Sequence, residues 1–253
     1  MRGSTSMRTA LEREAETLRL LGVEIIPVGR PAPPAPSSVA RTAAAEPASP
    51  GVGEAKAALL AALRARHDLE CAHCTRATAH TRTVFGEGDP SASLMFVGEA
   101  PGAEEDRTGR PFVGRAGQLL DSMITAMGLS RDRVFIANVL KARPLDNATP
   151  TPAEADRCGV WLREQIAIIQ PSVIVTLGKP AAAFLLDTKE AISALRGRWA
   201  TYRGGRGADG RALAADIPVM ATFHPAFLLR QYTPENRRMV WSDLKAAMGK
   251  ISG

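Results

Sequence analysis

Four short runs constrain this chain more than any other feature. Leu94-Met-Phe-Val97, Val134-Phe-Ile-Ala137, Val173-Ile-Val-Thr-Leu177 and Val219-Met-Ala-Thr222 are almost continuously apolar. A strand with one wet face alternates apolar and polar residues. A strand apolar at nearly every position is buried on both faces, as in a parallel sheet covered by helices. Helical patterns separate the runs. Residues 115–127 place Leu119, Leu120, Ile124 and Met127 at helical spacing. Residues 152–169 open on Thr151-Pro152-Ala153-Glu154, which supplies an N-cap, a first-turn proline and a capping box. Residues 179–186 predict a third, shorter helix. Strand–helix alternation of this kind predicts an α/β sandwich.

The rest of the chain divides by composition. Residues 1–26 read as an N-terminal helical segment. Leu11, Leu18 and Leu21 share helical spacing up to Gly22, and residues 1–7 are set aside as a scar or early start. Residues 27–51 hold seven prolines among Ala, Ser and Gly, a composition that builds no core and reads as a flexible linker. Residues 52–253 form the dense part, opening with a helix over 52–66. No apolar run approaches the roughly 20 residues that cross a bilayer. The opening residues lack the apolar region of a secretory signal, so the expected location is cytoplasmic and no membrane partner is expected.

The net charge is +6 with a pI near 9.6. Of 32 basic residues, 26 are Arg, whose planar fork suits phosphate. A polyanionic partner fits this balance, as does GC-rich coding in an Ala-rich chain. The three cysteines, Cys71, Cys74 and Cys158, are too few and odd in number for a disulfide framework. Cys71-Ala-His-Cys74 is a C-x-x-C, usable as a redox pair or as half of a metal site.

The residues after each strand carry the chemistry. Gly98-Glu99-Ala100-Pro101-Gly102 follows the first, Asn138 the second, Gly178 the third and His224-Pro225 the fourth. Open α/β sheets bind ligands beyond the carboxyl ends of their strands. Glu99, Asn138 and His224 are therefore expected to meet in one cleft. Each alone has an ordinary structural reading as a cap or satisfied polar residue.

At these residues the chain resembles family 4 uracil-DNA glycosylases, the iron–sulfur type, from about Cys71 to Leu244. Gly98-Glu-Ala-Pro-Gly102, Glu104-Glu105-Asp106 and Gly109-Arg-Pro-Phe-Val-Gly114 look like the family's first motif. Asn138-Val-Leu-Lys141 with Arg143-Pro144 looks like its central motif. His224-Pro-Ala-Phe-Leu-Leu-Arg230 is similar to the closing motif, and Trp241-Ser-Asp243-Leu244 to the C-terminal helix. Four motifs in order are specific where one would not be. The resemblance implies a three-layer αβα sandwich around a central, mostly parallel four-stranded sheet. It also implies a monomeric DNA-repair enzyme that hydrolyses uracil from single- or double-stranded DNA and leaves an abasic site.

The roles it implies have a chemical logic. The uracil nucleotide must be flipped out of the duplex. Asn138 can donate to uracil O4 and accept from N3–H, a pattern that cytosine reverses. Phe112 is the implied stacking platform, with Ala100 also at the base. His224 would donate to O2 of the departing base. Glu99 and Glu105 both qualify as the carboxylate that positions water. Gly114 and Gly117 would admit DNA phosphate to backbone amides. Leu228 and Arg230 would approach the minor groove, with Leu228 or Leu229 exposed as a wedge.

One departure stands out. The family holds a 4Fe-4S cluster on four cysteines, matched here by Cys71, Cys74 and Cys158. The fourth position is Ala142, 16 residues before Cys158. Three explanations stay open. The cluster binds with a non-cysteine fourth ligand such as water or one of His67, His73 and His80. Ala142 is an engineered knockout. Or the chain takes zinc or no metal. A related subtype that bonds covalently to DNA uses a His in a basic insertion, and the 143–152 loop has neither. Two other functions compete with excision: a catalytically weak or inactive uracil- or DNA-binding module of the same fold, and a nucleotide-binding α/β protein with a redox C-x-x-C. Intact Glu99, Asn138 and His224 disfavour the first. The Gly98–Gly102 turn, unlike a Walker loop or dinucleotide fingerprint, disfavours the second.

Overall fold

The computed structural model describes residues 51–71, 80–204 and 216–251. The expected helix over 8–22, the linker up to residue 50, His73 and Cys74 lie outside the described residues. Helix α1 spans Val52–Glu70, longer than the 52–66 expected. There follow β1 (Glu87–Gly88), β2 (Leu94–Gly98), α2 (Ala103–Thr108), α3 (Arg115–Ala126) and β3 (Phe135–Asn138). Next come α4 (Pro152–Ile169), β4 (Val173–Leu177), α5 (Lys179–Leu186) and α6 (Ile192–Leu195). The chain closes with β5 (Trp199–Tyr202), β6 (Ile217–Thr222), α7 (Pro225–Arg230) and α8 (Pro234–Ile251).

The sheet order is β1-β3-β2-β4-β6-β5. The four strands expected from sequence form its parallel centre, with Phe96 opposite Ile136 and Val175, and Val175 opposite Met220. The expected four-stranded sheet is corrected to six. Short β1 and half-exposed β5 pair antiparallel at the two edges. Neither edge strand has a continuous apolar run, because an edge strand is not covered on both faces.

Successive residues of one strand feed opposite layers. Leu94 and Phe96 face a core completed by Leu120 and Met123 of α3, Leu228 of α7 and Leu244 of α8. Met95 and Val97 face the other core, with Leu63 of α1, Leu162 and Ile166 of α4 and Leu185 of α5. This is the three-layer sandwich. Helix α4 starts as its sequence dictates: Thr151 Oγ1 accepts from the Glu154 amide at 3.3 Å, and Glu154 accepts from the Thr151 amide at 2.9 Å. Within the parallel set, the chain steps from β2 outward to β3 and then back across to β4 and β6. The direction of winding therefore reverses between β2 and β4, and an open crevice forms at the carboxyl ends there.

Candidate active site

A cavity of about 540 Å³ occupies that crevice. Glu99, Ala100, Glu105, Phe112, Asn138, His224 and Arg230 all line it. Residues spread over more than half the described chain are thus brought together: Glu99, Ala100, Asn138 and His224 by their places at strand ends, Glu105, Phe112 and Arg230 by α2, the turn after it and α7. A larger cavity of about 1190 Å³ adjoins it along α4 and α5, sharing Glu99, Thr149, Lys179 and Pro180. Phe112, Asn138 and His224 do not line the larger one, so the chemistry belongs to the smaller.

Asn138 ends β3 and is 1% exposed. Its side-chain Oδ1 and Nδ2 are both buried without a hydrogen-bond partner. Leaving such groups unpaired costs about 1–3 kcal/mol each, and the residue that carries them lines the cavity. Its backbone carbonyl accepts from Lys141 Nζ at 2.9 Å, and Lys141 also donates to Gln165 Oε1 at 2.6 Å. Gln165 in turn donates to the Phe85 carbonyl at 2.8 Å. Burial pushes the Lys141 ammonium down to about 7. Sequence reasoning missed this buried relay, because nothing in the motif Asn138-Val-Leu-Lys141 says that the lysine turns inward.

Phe112 is 5% exposed, and its ring lies 5.7 Å from that of His224 at an interplanar angle of 32°. Its backbone is left-handed at φ 50°. Two glycines make room for it. A Cβ on Gly98 would fall 2.4 Å from Asn138 Oδ1 and 2.5 Å from Phe112 Cζ. A Cβ on Gly117 would fall 2.0 Å from the Phe112 carbonyl.

His224 caps α7, its Nδ1 accepting from the Ala226 amide at 3.1 Å. Burial first, then the charge of Arg230, lowers its pKa to about 4, with Glu105 opposing. The ring is therefore neutral at pH 7. With Nδ1 accepting, the proton is assigned to Nε2, which becomes a donor.

The two candidate carboxylates separate. Glu105 Oε1 accepts from the amides of Val113 and Gly114 at 2.8 and 2.9 Å, and Oε2 from Gly102 at 3.1 Å. It is occupied in holding the turn around Phe112. Glu99 is half-buried in the cavity; burial raises its pKa and the Thr149 hydroxyl partly offsets this.

Three DNA-contact expectations change. The Gly114 amide is already bound to Glu105, and Gly117 is buried under the Phe112 backbone, so neither presents an open amide cradle. Leu228 is 0% exposed and belongs to the core, whereas Leu229 is 37% exposed beside exposed Arg230. One turn of α7 directs neighbouring leucines to opposite environments.

The cysteine region is partly described. Cys158 is buried, and its Sγ accepts from the Lys141 amide at 3.1 Å, which puts position 142 beside it. Residue 142 is Ala, 5% exposed, and supplies no donor atom. The residues present do not fit a four-cysteine cluster. His67, a candidate substitute, sits in the core edge-on to Trp161 with ring centroids 5.1 Å apart. Among the described residues no group of three or more His, Cys, Asp or Glu is arranged to hold a metal. Among them, too, no helix is long and apolar enough to cross a membrane.

Comparison with known proteins agrees with this geometry. Residues 85–245 match the profile of the uracil DNA glycosylase superfamily. A type-4 uracil-DNA glycosylase of Thermotoga maritima is 44% identical over 183 residues, covering 72% of this chain and 90% of that protein. One of Archaeoglobus fulgidus is 39% identical over 193 residues, covering 74% of this chain and 91% of that protein. A type-5 uracil-DNA glycosylase of Pyrobaculum aerophilum is more distant, at 30% over 189 residues, with 62% of this chain and 79% of that protein covered. With the matched span enclosing the whole crevice, the chain belongs to the uracil-DNA glycosylase superfamily.

Proposed function

We propose that this protein removes uracil from DNA by hydrolysing the bond between uracil N1 and deoxyribose C1′, leaving an abasic site. The observation that carries the reading is the unpartnered, buried amide of Asn138 beside the Phe112 ring. Uracil satisfies both halves of that amide: O4 accepts from Nδ2 and N3–H donates to Oδ1. Cytosine offers a donor and an acceptor in the reverse order and is mismatched with the amide in the orientation that reads uracil. The names of the type-4 relatives point to the same substrate.

In the reaction the N1–C1′ bond breaks with its electron pair going to the base. Negative charge collects at uracil O2, where the Nε2–H of neutral His224 donates a hydrogen bond. A neutral donor suits this role, since it stabilises the anion without having to be charged in a buried site. Positive charge grows on the sugar, and the Glu99 carboxylate orients water toward C1′ and accepts its proton as the C–O bond forms. The proton leaves for solvent, and the uracil anion gains one. Glu105 is a positioning residue for the Phe112 turn.

Exposed Leu229 and Arg230 are the proposed minor-groove contacts, replacing buried Leu228. DNA, single- or double-stranded, is the proposed partner of a monomer. Cys71, Cys74 and Cys158 are the proposed thiolate ligands of an iron–sulfur cluster whose fourth donor is not cysteine. Hydrolysis transfers no electrons, so such a group would act structurally.

The test is an oligonucleotide with a single uracil, incubated with the protein and cleaved with alkali. Strand scission at uracil, and none at cytosine in the same context, is the expected result. Binding without scission would overturn the reading in favour of a binding module.

A further inference from the structure

We propose that Arg131 is a positioning residue for base recognition: it fixes the left-handed turn that presents Phe112, acting from outside the pocket. The proposal rests on the reading of Phe112 as the face against which uracil stacks. Arg131 lies in a short 3₁₀ turn, Arg131–Arg133, just before β3, and it does not line the cavity.

Its guanidinium grips the turn through main-chain carbonyls. Nη1 donates to the Phe112 carbonyl at 3.1 Å, and Nη2 donates to the Pro111 carbonyl. The amides on the far side of the turn, Val113 and Gly114, donate to Glu105. Carbonyls therefore meet a cation and amides meet an anion, so consecutive peptide groups around Phe112 are held by complementary charges. A non-glycine residue in the left-handed region costs about 1 kcal/mol or more and persists only where its surroundings impose it. Here the surroundings are these two side chains.

Arg131 is itself locked. Its Nε donates to Glu87 at 3.0 Å and its Nη1 to Asp121 at 2.7 Å. Glu87, on the edge strand β1, is held from its other side by Arg110 through two bonds of 2.7 Å. The two guanidinium groups keep the Glu87 carboxyl below its ordinary range, Arg110 contributing most. Arg131 thus uses four N–H groups on four partners in a plane. A lysine ammonium, with its donors at a single point, cannot span them. The same strand that starts beside Arg131 ends at Asn138, so one rigid element sets the stacking face and the reading amide relative to each other.

The test compares wild type, Arg131→Lys and Arg131→Ala, the last two also in a Phe112→Ala background. The readouts are kcat and KM on a uracil oligonucleotide, inhibition by free uracil, affinity for an abasic-site oligonucleotide, and Tm. For Arg131→Lys we expect a Tm near that of wild type and a kcat lower by about 10- to 100-fold, the scale of a reacting group misplaced by about 1 Å. Inhibition by free uracil should weaken while abasic-site affinity holds. In the Phe112→Ala background the lysine substitution should cost nothing further, because the two act through one contact. Unchanged kcat and uracil inhibition in Arg131→Lys, or losses that add to those of Phe112→Ala, would overturn the proposal. Wild-type protein that fails to cut uracil DNA would instead overturn the excision reading on which it rests.

Discussion

Asn138 illustrates a residue kept at a cost to the fold. Its buried amide has no partner among the protein's own groups, and uracil O4 and N3–H are the proposed pattern that meets both of its atoms. Asn138→Ala is therefore expected to lower kcat/KM on uracil DNA by at least about 100-fold, and to erode discrimination against cytosine, with Tm unchanged or raised. Steady-state kinetics and a thermal melt on the same preparation check this. His224 and Glu99 divide the pH dependence between them. His224 titrates near 4, well below its ordinary value of 6.5. Its unfolded form binds the proton more readily, so the stability it confers is complete above pH 6.5 and is lost as pH falls toward 4. Melting temperature should fall over that window less steeply in His224→Gln than in wild type. Glu99 moves the other way, raised from 4.5 by burial. The acid limb of the rate therefore belongs to Glu99. It should keep its position in His224→Gln and disappear from the residual activity of Glu99→Gln.

Turns matter more to this site than strands do. The strand ends deliver Glu99, Asn138 and His224, but the Gly102–Gly117 segment places the ring that completes the pocket. Gly98 shows how little space is spare, since a Cβ there would collide with both Asn138 Oδ1 and Phe112 Cζ. Gly98→Ala is expected to reduce excision by about 100-fold or more, the cost of displacing a pocket group by about 1 Å, and to abolish inhibition by free uracil. DNA binding through the proposed α7 contacts should persist. A gel shift beside the excision assay separates the two. These turns were only partly legible in the sequence. The motif Gly98-Glu-Ala-Pro-Gly102 marks a turn, and its glycines mark close approach. Glu105, in the first turn of α2, spends its carboxylate on amides, while Glu99, just past the end of β2, keeps its carboxylate for the cavity. Residue type alone gives no sign of which carboxylate each element turns toward the cavity.

Across the molecule, α1 is tied to α4 by direct contacts. Arg66 pairs with Glu164 at 2.5 Å and lies 5.2 Å over the Trp161 ring, and Lys56 donates to the Ile169 carbonyl at 2.7 Å. These contacts join the segment entering the cysteine region to the helix carrying Cys158 without any metal. A fourth thiolate would add a further tie between the same segments, at a position outside the cavity lining, so restoring it should affect stability and not hydrolysis. Ala142→Cys is expected to raise iron and sulfide content, and to raise Tm in anaerobic preparations, while changing kcat less than about threefold, since no electron moves in the reaction. Iron analysis with parallel kinetics checks it. Unchanged iron would show that position 142 is not a ligand site.

Legible in the chain alone were the four central strands, helices α3, α4 and α5 between them, and the residues at the strand ends. Those properties follow from local periodicity, capping chemistry and the need of a doubly covered strand to be apolar throughout. Asn138 and His224 stood out jointly, through their places at strand ends and the motifs that contain them. The edge strands β1 and β5, the inward turn of Lys141, the burial of Leu228 with Leu229 exposed, and the grip of Arg131 on the Phe112 turn emerge only once the chain is packed. Each depends on what lies across a gap of many residues: an edge strand on its neighbour, a buried cation on the carbonyls it meets, a strained turn on the charges closing around it. Contacts of that kind leave no period in the chain, since a partner's identity and direction are set by the packing of the whole.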